Sequence, residues 1–106
     1  MTETEIQRAI VVALEAIGVW VIRTGVSRKR GKRGTQSGEP GFPDLYLPGL
    51  GHLEVKRPGE ALSPEQITWH ARAKAVGVRV RTVDSAGEAE RVVMAWRDGR
   101  GEERAA

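Results

Sequence analysis

From Asp44 to Lys56 the chain alternates apolar and polar residues on either side of a Pro48-Gly49-Leu50-Gly51 break. A period of two belongs to a half-buried strand, and a Pro-Gly break between two such runs belongs to a hairpin. The strands are expected at residues 45–47 and 52–56. With Gly49, Leu50 and Gly51 as the loop, Leu45 faces Val55 and Leu47 faces Leu53 on one side, while Asp44, Tyr46, His52, Glu54 and Lys56 share the other. A slip of one residue would mix the two faces, so this register is expected.

The flanking segments supply the other layers. Ile6, Ile10, Leu14 and Ile17 recur at three- and four-residue spacings and predict an amphipathic helix over residues 3–17, stopped by Gly18. Residues 19–23 (VWVIR) are β-branched and aromatic and read as a buried strand. Ser63-Pro64-Glu65-Gln66 predicts a helix start, with serine as N-cap, proline in the first turn and glutamine closing a capping box, and Gly77 ends that helix after Val76. Residues 78–83 read as a strand, and Ser85 with Glu88 as a second capping box opening a helix through Trp96. Helix, strand, hairpin, helix, strand and helix imply an α/β fold, a mixed four-stranded sheet flanked by helices.

At 106 residues the chain is expected to form a single domain with one compact site. Residues 24–41 carry Arg28, Lys29, Arg30, Lys32 and Arg33 among glycines, without apolar periodicity, and read as a long, basic, flexible loop; residues 98–106 read as a frayed tail. The loop is a candidate phosphate clamp, although solvated charge runs are common. A net charge of +3 favours a polyanionic partner without requiring one. The chain has no cysteine, which excludes disulfides and thiolate zinc sites. No apolar run reaches the roughly 20 residues that cross a bilayer. A cytoplasmic protein of a bacterial or phage-infected cell is expected, with no membrane and no small-molecule cofactor.

Glu54 and Lys56 leave the same face of their strand, and Asp44 joins them across the hairpin. Converging carboxylates repel unless a cation lies between them, and hard oxygen donors select Mg²⁺ or Mn²⁺. Such a cation leaves positions for phosphate oxygens and water, and a lysine beside it can neutralise charge developing on phosphorus. A Glu-x-Lys on an exposed strand is by itself an ordinary surface feature.

The ordered set Gly41-Phe42-Pro43-Asp44-Leu45, then Leu53-Glu54-Val55-Lys56-Arg57-Pro58-Gly59, then Leu62-Ser63 and Gln66, closely resembles the PD-(D/E)XK nucleases and, among them, the VRR-NUC (virus-type replication and repair nuclease) family. The likeness runs from the Glu- and Gln-bearing first helix to Ala-Val-Gly-Val-Arg-Val at 75–80. The resemblance implies a restriction-endonuclease-like αβββαβ core, divalent-metal hydrolysis of DNA phosphodiesters and a branched substrate such as a Holliday junction. It also implies a homodimer. By the same resemblance Asp44 and Glu54 are metal ligands, the backbone carbonyl of Val55 is a third, and Lys56 is the catalytic lysine.

The first helix leaves alternatives open. The family places an acidic residue there, sometimes followed by a glutamine. Glu3 and Gln7 share one helical face with Ile10 and Leu14, whereas Glu5 lies on another and could close a capping box with Thr2. Glu3 and Gln7 are preferred, with Glu3 as a further metal ligand and Glu5 as the alternative. Gln66 and Trp69 resemble a family glutamine and aromatic, but capping and packing explain them too. His52 reads as a solvated hairpin residue and His70 as a surface or packing residue, while Tyr46 could hydrogen-bond in the site, although half-buried tyrosines on sheets usually only pack. A catalytically silent nucleic-acid-binding module and a basic accessory protein are the competing readings.

Overall fold

The computed structural model describes residues 1–25 and 39–99. The elements are α1 (Glu3–Ala16), β1 (Ile22–Arg23), β2 (Leu45–Leu47), β3 (Gly51–Val55), α2 (Pro64–Ala75), β4 (Val80–Val83) and α3 (Ala86–Arg97). One four-stranded sheet runs in the order β1-β2-β3-β4, antiparallel across the first two pairs and parallel across the last. This is the mixed α/β sheet expected. The five basic residues Arg28, Lys29, Arg30, Lys32 and Arg33 lie outside the described residues, as does the tail from residue 100.

Helix α1 starts where local chemistry tells it to. The Thr2 backbone N–H donates to Glu5 Oε1 (2.8 Å) and the Glu5 N–H donates to Thr2 Oγ1 (3.1 Å), closing a capping box. Ile6, Ile10, Val11 and Leu14 form its buried face. These side chains join Leu45, Leu47, Leu53, Val55 and Val83 from the sheet, and Val92, Val93 and Trp96 from α3, in one apolar cluster. Helices α1 and α3 therefore cover one sheet face. Among the described residues no helix is long and apolar enough to cross a membrane.

Three expectations need correction here. The hairpin pairs Leu45 with Leu53, Tyr46 with His52 and Leu47 with Gly51, two residues away from the expected register. A two-residue shift keeps each side chain on its face, so the core comes out as expected but the pairing does not. The cause is Gly51, which is not a loop residue but the first residue of β3. A Cβ there would meet the Arg79 Cβ at 2.8 Å and the Trp96 ring at 2.9 Å. Gly51 is small because β4 and α3 pass over it, and the turn is left to Pro48, Gly49 and Leu50, closed by Leu50 N–H donating to the Leu47 carbonyl (2.9 Å).

Residues 19–23 do not form a buried strand. Only Ile22 and Arg23 pair, at the sheet edge; Val19 alone is buried, and Trp20 is 68% exposed. The Val19 N–H goes back to the Leu14 carbonyl (3.0 Å), finishing the helix rather than starting the sheet. At the last helix Ser85 accepts from the Glu88 N–H (3.1 Å), but the Glu88 side chain accepts from the Asp84 N–H (2.9 Å) instead of the Ser85 N–H. The second expected capping box is thus half formed, with glutamate reaching one residue further back.

Helix α2 lies on the opposite sheet face with a capping box between Ser63 and Gln66 as expected. It buries only Ala73, while Ile67 and Val76 stay exposed. An apolar stripe does not hold this helix down; polar and aromatic side chains do. Its first turn lies so close to Gly41 that a Cβ there would fall 2.5 Å from the Glu65 carbonyl carbon, and Gly41 also has φ +81°. That close approach is the physical reason for glycine ahead of Phe42-Pro43-Asp44.

Candidate active site

The corrected register, continued by one residue, sets Asp44 directly opposite Glu54. Both lie on the α2 face of the sheet, at the end where β2 begins and β3 finishes. Asp44 is fixed there from two sides. Its Oδ2 accepts the Val55 backbone N–H (2.8 Å), taking the place of a ladder partner where β2 has run out. Its carbonyl accepts the Thr24 backbone N–H (3.0 Å) and the Thr24 hydroxyl (3.1 Å), which ties it to the edge strand.

Glu54 is only 1% exposed and is the one buried charged or polar residue among those described. Its carboxyl is gripped from α2: Gln66 Nε2 donates to Oε2 (3.1 Å), and His70 Nε2 lies 3.2 Å from Oε1. Gln66 and His70 are one helical turn apart, so one face of α2 brings both. The carboxyl is also hydrogen-bonded to that of Asp44. Burial first, then the Asp44 charge and that hydrogen bond, push the Glu54 pKa up to about 9; Lys56 pulls the other way and Glu3 adds to the rise. Burial, helped by Lys74, lowers the His70 pKa. At neutral pH Glu54 and His70 therefore meet as two neutral groups.

Lys56 follows β3 and is half-buried, its backbone N–H donating to the Val83 carbonyl (3.1 Å). Its charge reaches Glu54, Glu3 and Glu60. Glu3, at the start of α1, faces the same group. Its pKa is raised by partial burial, then by a hydrogen bond to Glu60 and the Glu60 charge, with Lys56 opposing and Asp44 adding. Glu5 is occupied in the Thr2 capping box, and that backbone hydrogen bond lowers its pKa. The structure thus brings Glu3, Asp44, Glu54 and Lys56 together and leaves Glu5 aside. Gln7 is half-buried, one turn along α1 from Glu3.

Gln66 serves in two ways at once, its Oε1 capping α2 and its Nε2 reaching Glu54. His70 and Glu60 were missed as members of the group by sequence reasoning. The i, i+4 spacing from Gln66 was a usable signal for His70; nothing local marks Glu60. His52 is not a solvated hairpin residue. It is half-buried under α2, with Phe42 and Trp69 edge-on to its ring at 5.4 and 5.2 Å and Tyr46 stacked at 4.9 Å. The reason is again α2, whose Trp69 closes over the hairpin.

Among the described residues no group of three or more His, Cys, Asp or Glu side chains is set to hold a metal ion. The donor set is instead two apposed carboxyls beside the backbone of Val55. A carboxyl that keeps its proton because it is buried and a second carboxyl abuts it is a site where a hard cation could replace that proton. Mg²⁺ commonly takes only one or two protein carboxylates, so the residues present fit it.

No protein-family model matches the chain, and no curated protein matches it significantly. Among solved structures it is similar to one described as a VRR_NUC domain, with a TM-score of 0.65 and 24% identity, over 91% of this chain and 99% of that one. The chain has the fold of a VRR_NUC domain.

Proposed function

We propose that this protein is a Mg²⁺- or Mn²⁺-dependent DNA endonuclease that hydrolyses phosphodiester bonds in branched DNA such as a four-way junction. The observation that carries the reading is the apposition of Asp44 and buried Glu54, with Lys56 on the same strand face and Glu3 closing the group. Such a cluster opposes folding in the absence of a cation and suits phosphate chemistry in its presence. The fold likeness supports the same reading.

Asp44 and Glu54, with the Val55 carbonyl, would hold the cation. When bound, Mg²⁺ or Mn²⁺ supplies positive charge against the phosphate and acidifies water. The chain's own groups do the rest. The Val55 N–H orients Asp44, and Gln66 and His70 orient Glu54. Lys56 presents an ammonium to phosphate oxygens as their charge grows. Helix α2 keeps bulk water from Glu54.

A junction is two-fold symmetric and requires paired cuts, so a homodimer presenting two such sites fits this substrate. The five basic residues Arg28, Lys29, Arg30, Lys32 and Arg33 would add contacts to DNA phosphates. The test incubates the protein with labelled four-way junction, flap and linear duplex DNA in Mg²⁺, Mn²⁺ or EDTA. Metal-dependent cutting of the branched substrates is expected. Cutting in EDTA, or none with either metal, contradicts the proposal.

A further inference from the structure

Tyr46 lies two residues after Asp44 on β2, and His52 two residues before Glu54 on antiparallel β3. Both steps run the same way along the sheet. Tyr46 and His52 are therefore cross-strand partners one same-face row from the carboxyl pair, a displacement of about 7 Å. That is the scale on which a sugar and base extend from their phosphate.

This second row is built of flat rings. Tyr46 stacks on His52 with ring centroids 4.9 Å apart and planes 26° apart. His52 is wedged in turn by Phe42 and Trp69, whose rings contact each other at 5.2 Å. The buried Nδ1 of His52 has no hydrogen-bond partner among the described residues, and its ring serves in this row as a packing surface. Tyr46, the outermost ring, stays 37% exposed, and its neighbour on the edge strand, Ile22, 36%. Among the described residues α2 covers the row only as far as His52, and the sheet face is open from Tyr46 outward.

A rigidly backed aromatic ring beside a phosphate site suits a nucleobase, because every base has a π-face and stacking does not require a particular sequence. A base reaches such a ring only when it is free of its own partner. We propose that Tyr46, backed by His52, is the stacking platform for an unpaired base of DNA adjoining the phosphate at Asp44 and Glu54. This rests on the nuclease reading and adds that the nucleotide beside the scissile bond is unpaired when bound, as where the paired arms of a branched DNA open.

The test uses branched DNA bearing 2-aminopurine, adenine or an abasic residue at the unpaired nucleotide next to the cut. Wild type, Tyr46→Phe and Tyr46→Ala are compared in two readouts. In EDTA, 2-aminopurine emission should be quenched on binding to wild type and Tyr46→Phe, and much less on binding to Tyr46→Ala. In Mg²⁺, Tyr46→Ala should cut the adenine substrate on the order of tenfold more slowly than wild type, while on the abasic substrate the two should be alike. Equal rates for wild type and Tyr46→Ala on the adenine substrate overturn the platform and leave the nuclease reading standing. The same loss on adenine and abasic substrates also overturns it, since Tyr46 then acts on the fold. Tyrosine-dependent quenching without cleavage in either metal supports the platform and removes the nuclease.

Discussion

Gln66 donates from Nε2 to Glu54 Oε2 at 3.1 Å while its Oε1 accepts the Ser63 backbone N–H at 2.8 Å. One amide therefore starts a helix and orients a buried carboxyl, and its two tasks separate by substitution. Glutamate also closes a capping box, so Gln66→Glu keeps the helix start but sets a third carboxylate against Glu54. Gln66→Ala loses both. Thermal unfolding should show Gln66→Ala destabilised by about 1 kcal/mol through the cap alone. Both variants should cut DNA more slowly. An active Gln66→Glu would mean that Glu54 does not depend on this contact.

The proton on Glu54 gives the apo protein a distinctive pH dependence. The folded pKa of about 9 lies above the ordinary value of 4.5, so between those values the folded chain holds a proton that the unfolded chain releases. This stabilising contribution is complete below the lower value and is lost as pH rises through the upper one. His52 and His70 have lowered pKa values and act in the opposite sense, around and below the ordinary histidine range. Above about pH 7.5 they are largely neutral in both states and Glu54 dominates. In EDTA, Tm should fall from there toward pH 9, Glu54→Gln should flatten the fall, and Mg²⁺ should raise Tm most at the alkaline end. A Tm that rises over this window in EDTA would contradict the protonated pair.

Glu3 and Glu5 should behave oppositely. Glu3 faces Lys56, Asp44 and Glu60, whereas Glu5 is exposed and committed to Thr2. Glu3→Gln is expected to slow cleavage with little effect on Tm, and Glu5→Gln to lower Tm slightly with cleavage intact. The reverse result would place the acidic contribution of α1 at Glu5.

What was legible in the chain was what local chemistry decides. The Thr2–Glu5 and Ser63–Gln66 boxes, the buried face of α1 and the two faces of the hairpin all follow from neighbours within a few residues. The register did not, because Gly51 looks like a turn glycine and owes its smallness to Arg79 and Trp96, distant in sequence. His70 and Glu60 escaped for a related reason. Their roles arise from where α2 and the residues before it come to rest, and α2 lacks the apolar stripe that would have announced its buried side. The residues preceding β1 misled in the other direction, since β-branched and aromatic content describes a strand without saying whether anything covers it.

The central claim is that Asp44, Glu54 and Lys56 together cut DNA with a divalent metal. Its most direct test is the single-turnover cleavage rate of a four-way junction in saturating Mg²⁺, for wild type and for Asp44→Asn, Glu54→Gln and Lys56→Ala, each first shown to be folded. Each substitution is predicted to lower the rate by roughly a hundredfold or more. Wild-type rates in the folded Glu54→Gln or Lys56→Ala protein would contradict the account.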